Sequence, residues 1–266
     1  QKMAEVCGAG LKGVKQVVLV LSGKGGVGKS TVSCQVAAVL ASQGKKVGLV
    51  DVDLCGPSIA RVLGLEDRQV LQSSEGWVPV PHGTDGRLAV MSIAFLLKNR
   101  DDAVVWRGPK KNAMVKQLLD DVVWGDLDIL LIDTPPGTSD EQISTVEHLR
   151  NCGANLAGAV LVTTPQAVSV VDVRKEISFC SKMKVPVLGI VENMSGFVCP
   201  CCEEVTNIFS KGGGEKLASE MSMVFLGRIP IDPRLAECQD RGVNALENKE
   251  SPAVQALIAI GATICP

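Results

Sequence analysis

The chain of 266 residues contains no tyrosine, five phenylalanines and three tryptophans, so aromatic residues make up only 3% of it. Stacking platforms for single-stranded nucleic acid therefore have almost nothing to be built from. Charge of one sign is also missing: 27 Lys and Arg against 29 Asp and Glu leave a formal net charge of −2. That balance gives no general attraction to DNA or to anionic lipid, and neither nucleic acid nor membrane is expected as a partner. No apolar run reaches the length of a membrane span, and residues 1–13 hold none suited to a signal peptide. The ten cysteines are mostly scattered singly through helix-like and strand-like segments. That usage suggests reduced thiols in a cytosolic protein rather than a disulfide framework.

What the sequence does contain is an alternation of apolar runs with helical patterns, the signature of βαβ units. Strands are expected over 16–22, 46–52, 88–92, 127–133, 157–163, 185–193 and 224–229. Several are unbroken Val, Leu and Ile runs, as parallel strands covered on both faces require. Helices are expected over 29–43, 112–122, 166–182 and 214–222, with irregular stretches over 66–86 and 197–213. The predicted fold is α/β: a doubly wound, mostly parallel sheet flanked by helices. One domain is expected over 1–266, with 1–13 as a flexible tail and 197–213 as a metal-binding loop.

After the first strand comes Gly23-Lys24-Gly25-Gly26-Val27-Gly28-Lys29-Ser30-Thr31. It satisfies the phosphate-loop pattern G-x-x-x-x-G-K-[ST] between a strand and a helix. Glycines let backbone N–H groups curl around phosphate oxygens, beside the positive end of the helix that follows. Lys29 can reach the β- and γ-phosphates of ATP, and the Ser30 hydroxyl can ligate Mg²⁺. Lys24 is a second lysine that an ordinary loop of this kind does not need. On its flexible stem it suits reaching across a dimer to the partner's nucleotide, as an arginine finger does; the alternative is a solvated loop lysine.

Two carboxylate motifs close later strands, where ligands of open α/β sheets bind. Asp133 ends a very apolar run and is placed to hold Mg²⁺ directly or through water. In Asp51-Val52-Asp53 the second carboxylate is the better candidate for orienting the attacking water, while Asp51 reads equally well as a strand-terminal turn residue.

Cys199-Pro200-Cys201-Cys202 offers a C-x-x-C pair in a loop. Cys199 and Cys202 can grip one metal ion or one cluster edge, but a tetrahedral zinc or a [4Fe–4S] cluster wants four ligands. His82 and His148 are distant in sequence. The simplest completion is a second copy of the loop across a twofold axis. Zinc and iron–sulfur stay open on this count, and Cys201 is a bystander or an alternative ligand. Cys34 and Cys180 fall within helical patterns and read as structural, and the same reading is preferred for Cys55.

These residues resemble the deviant-Walker ATPases that include MinD, ParA, nitrogenase iron protein and the Mrp-type iron–sulfur carriers. The likeness tightens toward the Mrp-type carriers through Asp51-Val52-Asp53-Leu54-Cys55-Gly56-Pro57-Ser58, Trp106-Arg107-Gly108-Pro109, Asp133-Thr134-Pro135-Pro136-Gly137-Thr138-Ser139-Asp140, Thr164-Pro165-Gln166, Glu192-Asn193-Met194-Ser195 and the cysteine motif. It covers essentially residues 13–252.

The resemblance implies an ATP-binding dimer, homodimeric or paired with a larger relative that carries an N-terminal four-cysteine segment. Here that region has only Cys7. It implies a transient [4Fe–4S] cluster on Cys199 and Cys202, passed to apoproteins of the cytoplasm and nucleus through targeting factors. It also implies Asn193 on the adenine edge, with Pro230 and Asp232 walling the base. Turnover should be slow unless a partner completes the site. Two other readings compete: a zinc-bridged targeting ATPase, which wants a Met- or Leu-rich lid, and a spatial regulator of the MinD or ParA kind. The membrane version of the latter wants a basic C-terminal helix, and residues 251–266 contain neither Lys nor Arg.

Overall fold

The computed structural model describes residues 9–97, 106–199, 201, 202 and 204–265. Cys7, Pro200 and Glu203 lie outside the described residues. Of the tail expected over 1–13, residues 9–13 are described, and Gly10 and Leu11 among them are buried. Ala9–Leu11 form a 3-10 helix, Leu11 is buried, and the backbone at Gly10 lies against the carbonyls of Leu119 and Val122.

In chain order the elements are β1 (Val17–Ser22), α1 (Lys29–Ser42), β2 (Val47–Asp51), α2 (Ile59–Val62), β3 (Leu71–Gln72), β4 (Trp77–Val78), β5 (Val80–His82), β6 (Leu88–Ser92), α3 (Gly108–Asp120), β7 (Ile129–Asp133), α4 (Asp140–Asn151), β8 (Leu156–Thr163), α5 (Ala167–Lys182), β9 (Val187–Val198), β10 (Val205–Thr206), α6 (Gly213–Glu220), β11 (Phe225–Ile231), α7 (Pro233–Asp240) and α8 (Pro252–Ile264). The main sheet runs β10-β9-β8-β1-β7-β2-β6-β5, with β11 also paired to β9. All pairings within it are parallel except β5 with β6 and β10 with β9.

β1, β2 and β7 are buried at every position, as their unbroken apolar runs require. Because these strands are parallel and adjacent, their carboxyl ends deliver Ser22, Asp51 and Asp133 to one edge of the sheet. Asp51 is the register partner of Asp133.

Three helices carry start signals that periodicity alone did not expose. α4 opens on Ser139, whose hydroxyl accepts from the Gln142 N–H, with Asp140 and Glu141 in its first turn. α7 and α8 open on Asp232 and Ser251, each followed by proline. The α8 side chains Leu257, Ile260 and Ile264 are buried in the core. Among the described residues no helix is long and apolar enough to cross a membrane.

The buried α5 residue Glu176 tests the packing. Among the described residues neither carboxylate oxygen has a hydrogen-bond partner, and burial pushes its carboxyl up from 4.5 to about 7. A carboxyl raised on folding contributes stability that is fully present below pH 4.5 and is lost as pH rises through about 7. Glu176→Gln is therefore expected to flatten the pH dependence of unfolding and to gain about 1–2 kcal/mol at pH 8, after allowing for solvent screening. Urea titrations at pH 4.5 and 8 check this. Beside it, burial first and Glu176 second push the Cys180 thiol up to about 12, as befits a packed rather than a reactive sulfur.

Candidate nucleotide site and cysteine hairpin

The loop between β1 and α1 starts with a close approach. A Cβ at Gly23 would fall 2.5 Å from the backbone carbon of Asp172 in α5, so only glycine lets the loop leave the strand there. Gly28 ends the loop in the left-handed region, with φ 82, and serves as the N-cap of α1. Lys24, Gly25, Gly26, Val27, Gly28, Lys29, Ser30 and Thr31 line a cleft of about 250 Å³, closed by Ser22, Ser58, Val62 and Pro136. A strand, a glycine loop and a helix N-terminus around an open cleft form a phosphate cradle.

At its floor sits a buried ion pair. Lys29 Nζ is 2.7 Å from Asp133 Oδ2, and the Asp133 side chain has no exposed surface. The same carboxylate accepts from Ser30 Oγ and from Ser33 Oγ, each at 2.6 Å. Ser33 was not anticipated, although its place one helical turn after Lys29 puts it on the same face of α1. Ser30 and Asp133 bring two hard oxygens together, a donor set suited to Mg²⁺. Lys24 differs from Lys29: among the described residues its ammonium makes no ion pair or hydrogen bond, and the side chain is only part-buried.

Asp51 resolves as a structural residue. Its Oδ1 accepts from the Asp53 N–H at 3.0 Å and its Oδ2 from the Ser58 N–H at 3.1 Å, which shapes the loop after β2. Burial, and after it the charge of Asp133, pushes its carboxyl up to about 8. Asp53 turns back onto the Gly56 N–H at 3.2 Å and does not line the cleft. The next cysteine is exposed rather than packed. Lys111 Nζ donates to Cys55 Sγ at 2.9 Å and to Glu141 Oε1 at 3.0 Å, which ties the first turns of α3 and α4 to this loop. Lys111 lies two residues beyond the Trp106–Pro109 motif, and its type and position alone suggest no role.

Asn193 likewise does not line the cleft. Its Nδ2 donates to the Val27 carbonyl at 2.9 Å, so the amide grips the phosphate loop from behind. Pro230 and Asp232 also stand outside the cleft. The Asp232 carboxylate caps α7 through the Arg234 and Leu235 N–H groups and accepts from Ser251 Oγ at 2.5 Å, which joins α7 to α8.

The Asn193 contact makes Gly28 doubly constrained. A Cβ there would lie 2.2 Å from Asn193 Nδ2, on a backbone that disfavours side chains. Gly28→Ala is expected to cost more than about 1 kcal/mol of stability and at least about tenfold in nucleotide affinity. Thermal unfolding and calorimetric titration with ADP measure the two losses.

The cysteine motif forms the tip of a hairpin rather than an irregular loop. β9 continues to Val198 and pairs antiparallel with β10, Val198 opposite Val205, and the Cys199 N–H donates to the Glu204 carbonyl at 3.0 Å. Cys201 and Cys202 are exposed and Cys199 is part-buried. The backbone N–H groups of Cys201 and then Cys202 lower the Cys199 thiol from its ordinary range, which favours the thiolate that binds metal. Among the described residues the only group of three His, Cys or carboxylate side chains within reach of one metal ion is Asp120, His148 and Cys152, where His148 Nε2 lies 2.9 Å from Asp120 Oδ2. Cys152 is disulfide-bonded, contrary to the expectation of reduced thiols, so its sulfur is no free thiolate ligand. No third ligand of that kind joins Cys199 and Cys202 among the described residues.

A family model described as ParA, NUBPL iron-transfer P-loop NTPase, matches residues 13–265. The chain is 60% identical over 259 residues to the cytosolic Fe–S cluster assembly factor NUBP2 homolog of Nematostella vectensis, covering 97% of this chain and 95% of that protein. It is 63% identical over 224 residues to the cytosolic Fe–S cluster assembly factor CFD1 of Yarrowia lipolytica, covering 84% and 77%. Among solved structures, a nucleotide-binding protein of Archaeoglobus fulgidus in complex with ADP superposes with a TM-score of 0.76 at 42% identity, covering 87% and 88%. The MinD cell division protein of Aquifex aeolicus matches with a TM-score of 0.66 at 25% identity, covering 94% and 96%.

Proposed function

The chain belongs to the ParA family of NUBPL-type iron-transfer P-loop NTPases, and on that premise we propose that it is an ATP-dependent scaffold for cytosolic iron–sulfur cluster assembly. A [4Fe–4S] cluster is its cargo, held between two protomers by Cys199 and Cys202 of each and released to apoproteins of the cytoplasm and nucleus through targeting factors. The second protomer is another copy of this chain or the larger four-cysteine relative.

The nucleotide's part follows from the site. Backbone N–H groups of residues 24–30 receive the phosphates, and Lys29 moves its charge from Asp133 to the phosphate oxygens. Ser30 and Asp133 would hold Mg²⁺, which supplies charge neutralisation at the β- and γ-phosphates. Phosphoryl transfer needs positioning and charge more than a nucleophilic side chain, so slow hydrolysis is expected until a partner's Lys24 completes the site. Asp53 orients the attacking water once its loop turns inward, and Pro230 lies on the base side.

The observation that carries this reading is the pairing of Cys199, part-buried, with Cys202, exposed, at the hairpin tip, where no group of three metal-binding side chains forms among the described residues. Two ligands per chain make the cargo a bridge. Loading the purified chain with iron and sulfide in nucleotide-free anaerobic buffer should convert it to a dimer, and chelation should return it to a monomer. Light scattering after gel filtration reads both states. A monomer that keeps a full cluster would overturn the bridging site.

A further inference from the structure

β9 touches both ends of the proposed machine. At Asn193 it grips the phosphate loop through the Val27 carbonyl, at 2.9 Å, and presses on the α carbon of Gly28, where a Cβ would fall 2.2 Å away. Five residues later, at Val198, it enters the turn that carries Cys199.

Between those points the strand is not regular. Ile229 of β11 pairs with Asn193 and Ile231 with Phe197, so two steps along β11 span four along β9. The surplus residues form a bulge over 194–196. Met194 sits in the left-handed region, with φ 56, which is costly for a side chain of its size. Bulges of this kind re-aim a strand, and strained backbone persists only where its surroundings hold it.

The holding contacts come from the neighbouring residues. Glu192 is fully buried. Its Oε2 accepts from the Gly214 N–H at the start of α6, at 2.6 Å, and its Oε1 accepts from Ser195 Oγ, also at 2.6 Å. Arg228 Nε of β11 stands 3.7 Å from the same carboxylate. Thus Glu192 and Ser195 clamp the bulge to α6 and β11, while Asn193 ties its near edge to the nucleotide loop.

We infer that Asn193 and the Met194 bulge couple the phosphate loop to the cysteine hairpin. Asn193 acts as a positioning residue: when phosphate draws the loop forward, its amide carries the near edge of the bulge with it, and the left-handed turn at Met194 re-aims the strand leading to Cys199. Coupling of this sort is reciprocal, so metal on the hairpin must change nucleotide affinity by the factor with which nucleotide changes metal affinity. The inference rests on the reading of Cys199 and Cys202 as the metal-holding pair.

The test uses the full chain and three proteins: wild type, Asn193→Ala and Met194→Gly. Each is saturated with ADP or the non-hydrolysable analogue AMPPNP according to its own affinity, so weakened binding cannot imitate lost coupling. Two quantities are read with and without nucleotide: the Co²⁺ affinity from thiolate absorption, and the alkylation rate of the peptide carrying Cys199 and Cys202 by mass spectrometry. In the wild type, nucleotide should change both by roughly 5- to 150-fold, with the reciprocal change in nucleotide affinity. In both variants the factor should fall to about 1 while each ligand still binds and the melting temperature stays within a few degrees.

A wild-type factor of 1, or a wild-type factor retained in both variants, would overturn the inference. Absence of Co²⁺ binding in the wild type would instead remove the proposed metal pair, and the alkylation rates would still decide whether the strand transmits nucleotide binding.

Discussion

Replacing Lys24 by alanine is expected to lower ATP turnover of the dimer by about a thousandfold while leaving nucleotide affinity nearly unchanged. The two lysines of the loop are held differently, and the expectation follows from that difference. Lys29 is buried against Asp133 at 2.7 Å and belongs to its own protomer's phosphate cradle. Lys24 lines the same cleft, yet its ammonium has no partner among the described residues. A charge placed at the mouth of the cleft on a flexible stem contributes little to ground-state binding in its own protomer. Delivered across an interface to a transferring phosphoryl group it supplies the charge that an arginine finger supplies.

Complementation separates action in trans from action in cis. Lys24→Ala and Lys29→Ala chains should each be inactive alone. Mixed, they should regain activity, because the Lys29→Ala chain lends its Lys24 to the nucleotide held by the Lys24→Ala chain. Single-turnover hydrolysis of the mixture measures this. If the mixture stays inactive while Lys24→Ala alone is impaired, Lys24 acts within its own protomer.

The second large effect concerns the hairpin. Cys202→Ser is expected to abolish iron and sulfide uptake, whereas Cys201→Ser should retain it within about twofold. A serine hydroxyl is not a thiolate, and with two ligands per protomer the loss of one removes half of each protomer's hold on the metal. Cys201 occupies the turn position whose N–H faces the Cys199 sulfur, a backbone role that serine can fill. Uptake is read from absorption between 300 and 500 nm, roughly the thiolate-to-iron charge-transfer region of protein-bound clusters. Equal losses in the two variants would make Cys201 a ligand and change the geometry of the bridge.

The parts of this molecule legible in the sequence are those fixed by local chemistry. Val17–Ser22, Ile129–Asp133 and the glycine loop follow from unbroken apolar runs and a contiguous motif, and the strand of 88–92 matches its expected bounds. Lys29, Ser30 and Asp133 converge because parallel strands deliver their ends to one edge.

What stayed hidden depends on pairs far apart in the chain. The Asn193 amide meets a carbonyl 166 residues away, and no local pattern encodes that contact. The bulge after it interrupts the pattern, so the strand expected over 185–193 stops at Asn193 whereas β9 runs to Val198. The Asp232 carboxylate is committed to two helix caps rather than turned toward the cleft, which only the packing of α7 on α8 reveals. The missed α4 is a different case: Ser139 and Gln142 announce it, but its apolar face is too short to stand out by periodicity.

The most direct test of the scaffold reading is the metal content of the dimer. The purified chain would be reconstituted anaerobically with iron and sulfide, and iron, sulfide and zinc would be counted per dimer beside the Cys199→Ser, Cys202→Ser double variant. Roughly four irons and four sulfides per dimer, absent from the variant, is the predicted result. Zinc retained at one ion per dimer with no iron uptake would contradict it, and would make the hairpin a structural clamp rather than a place where clusters are built.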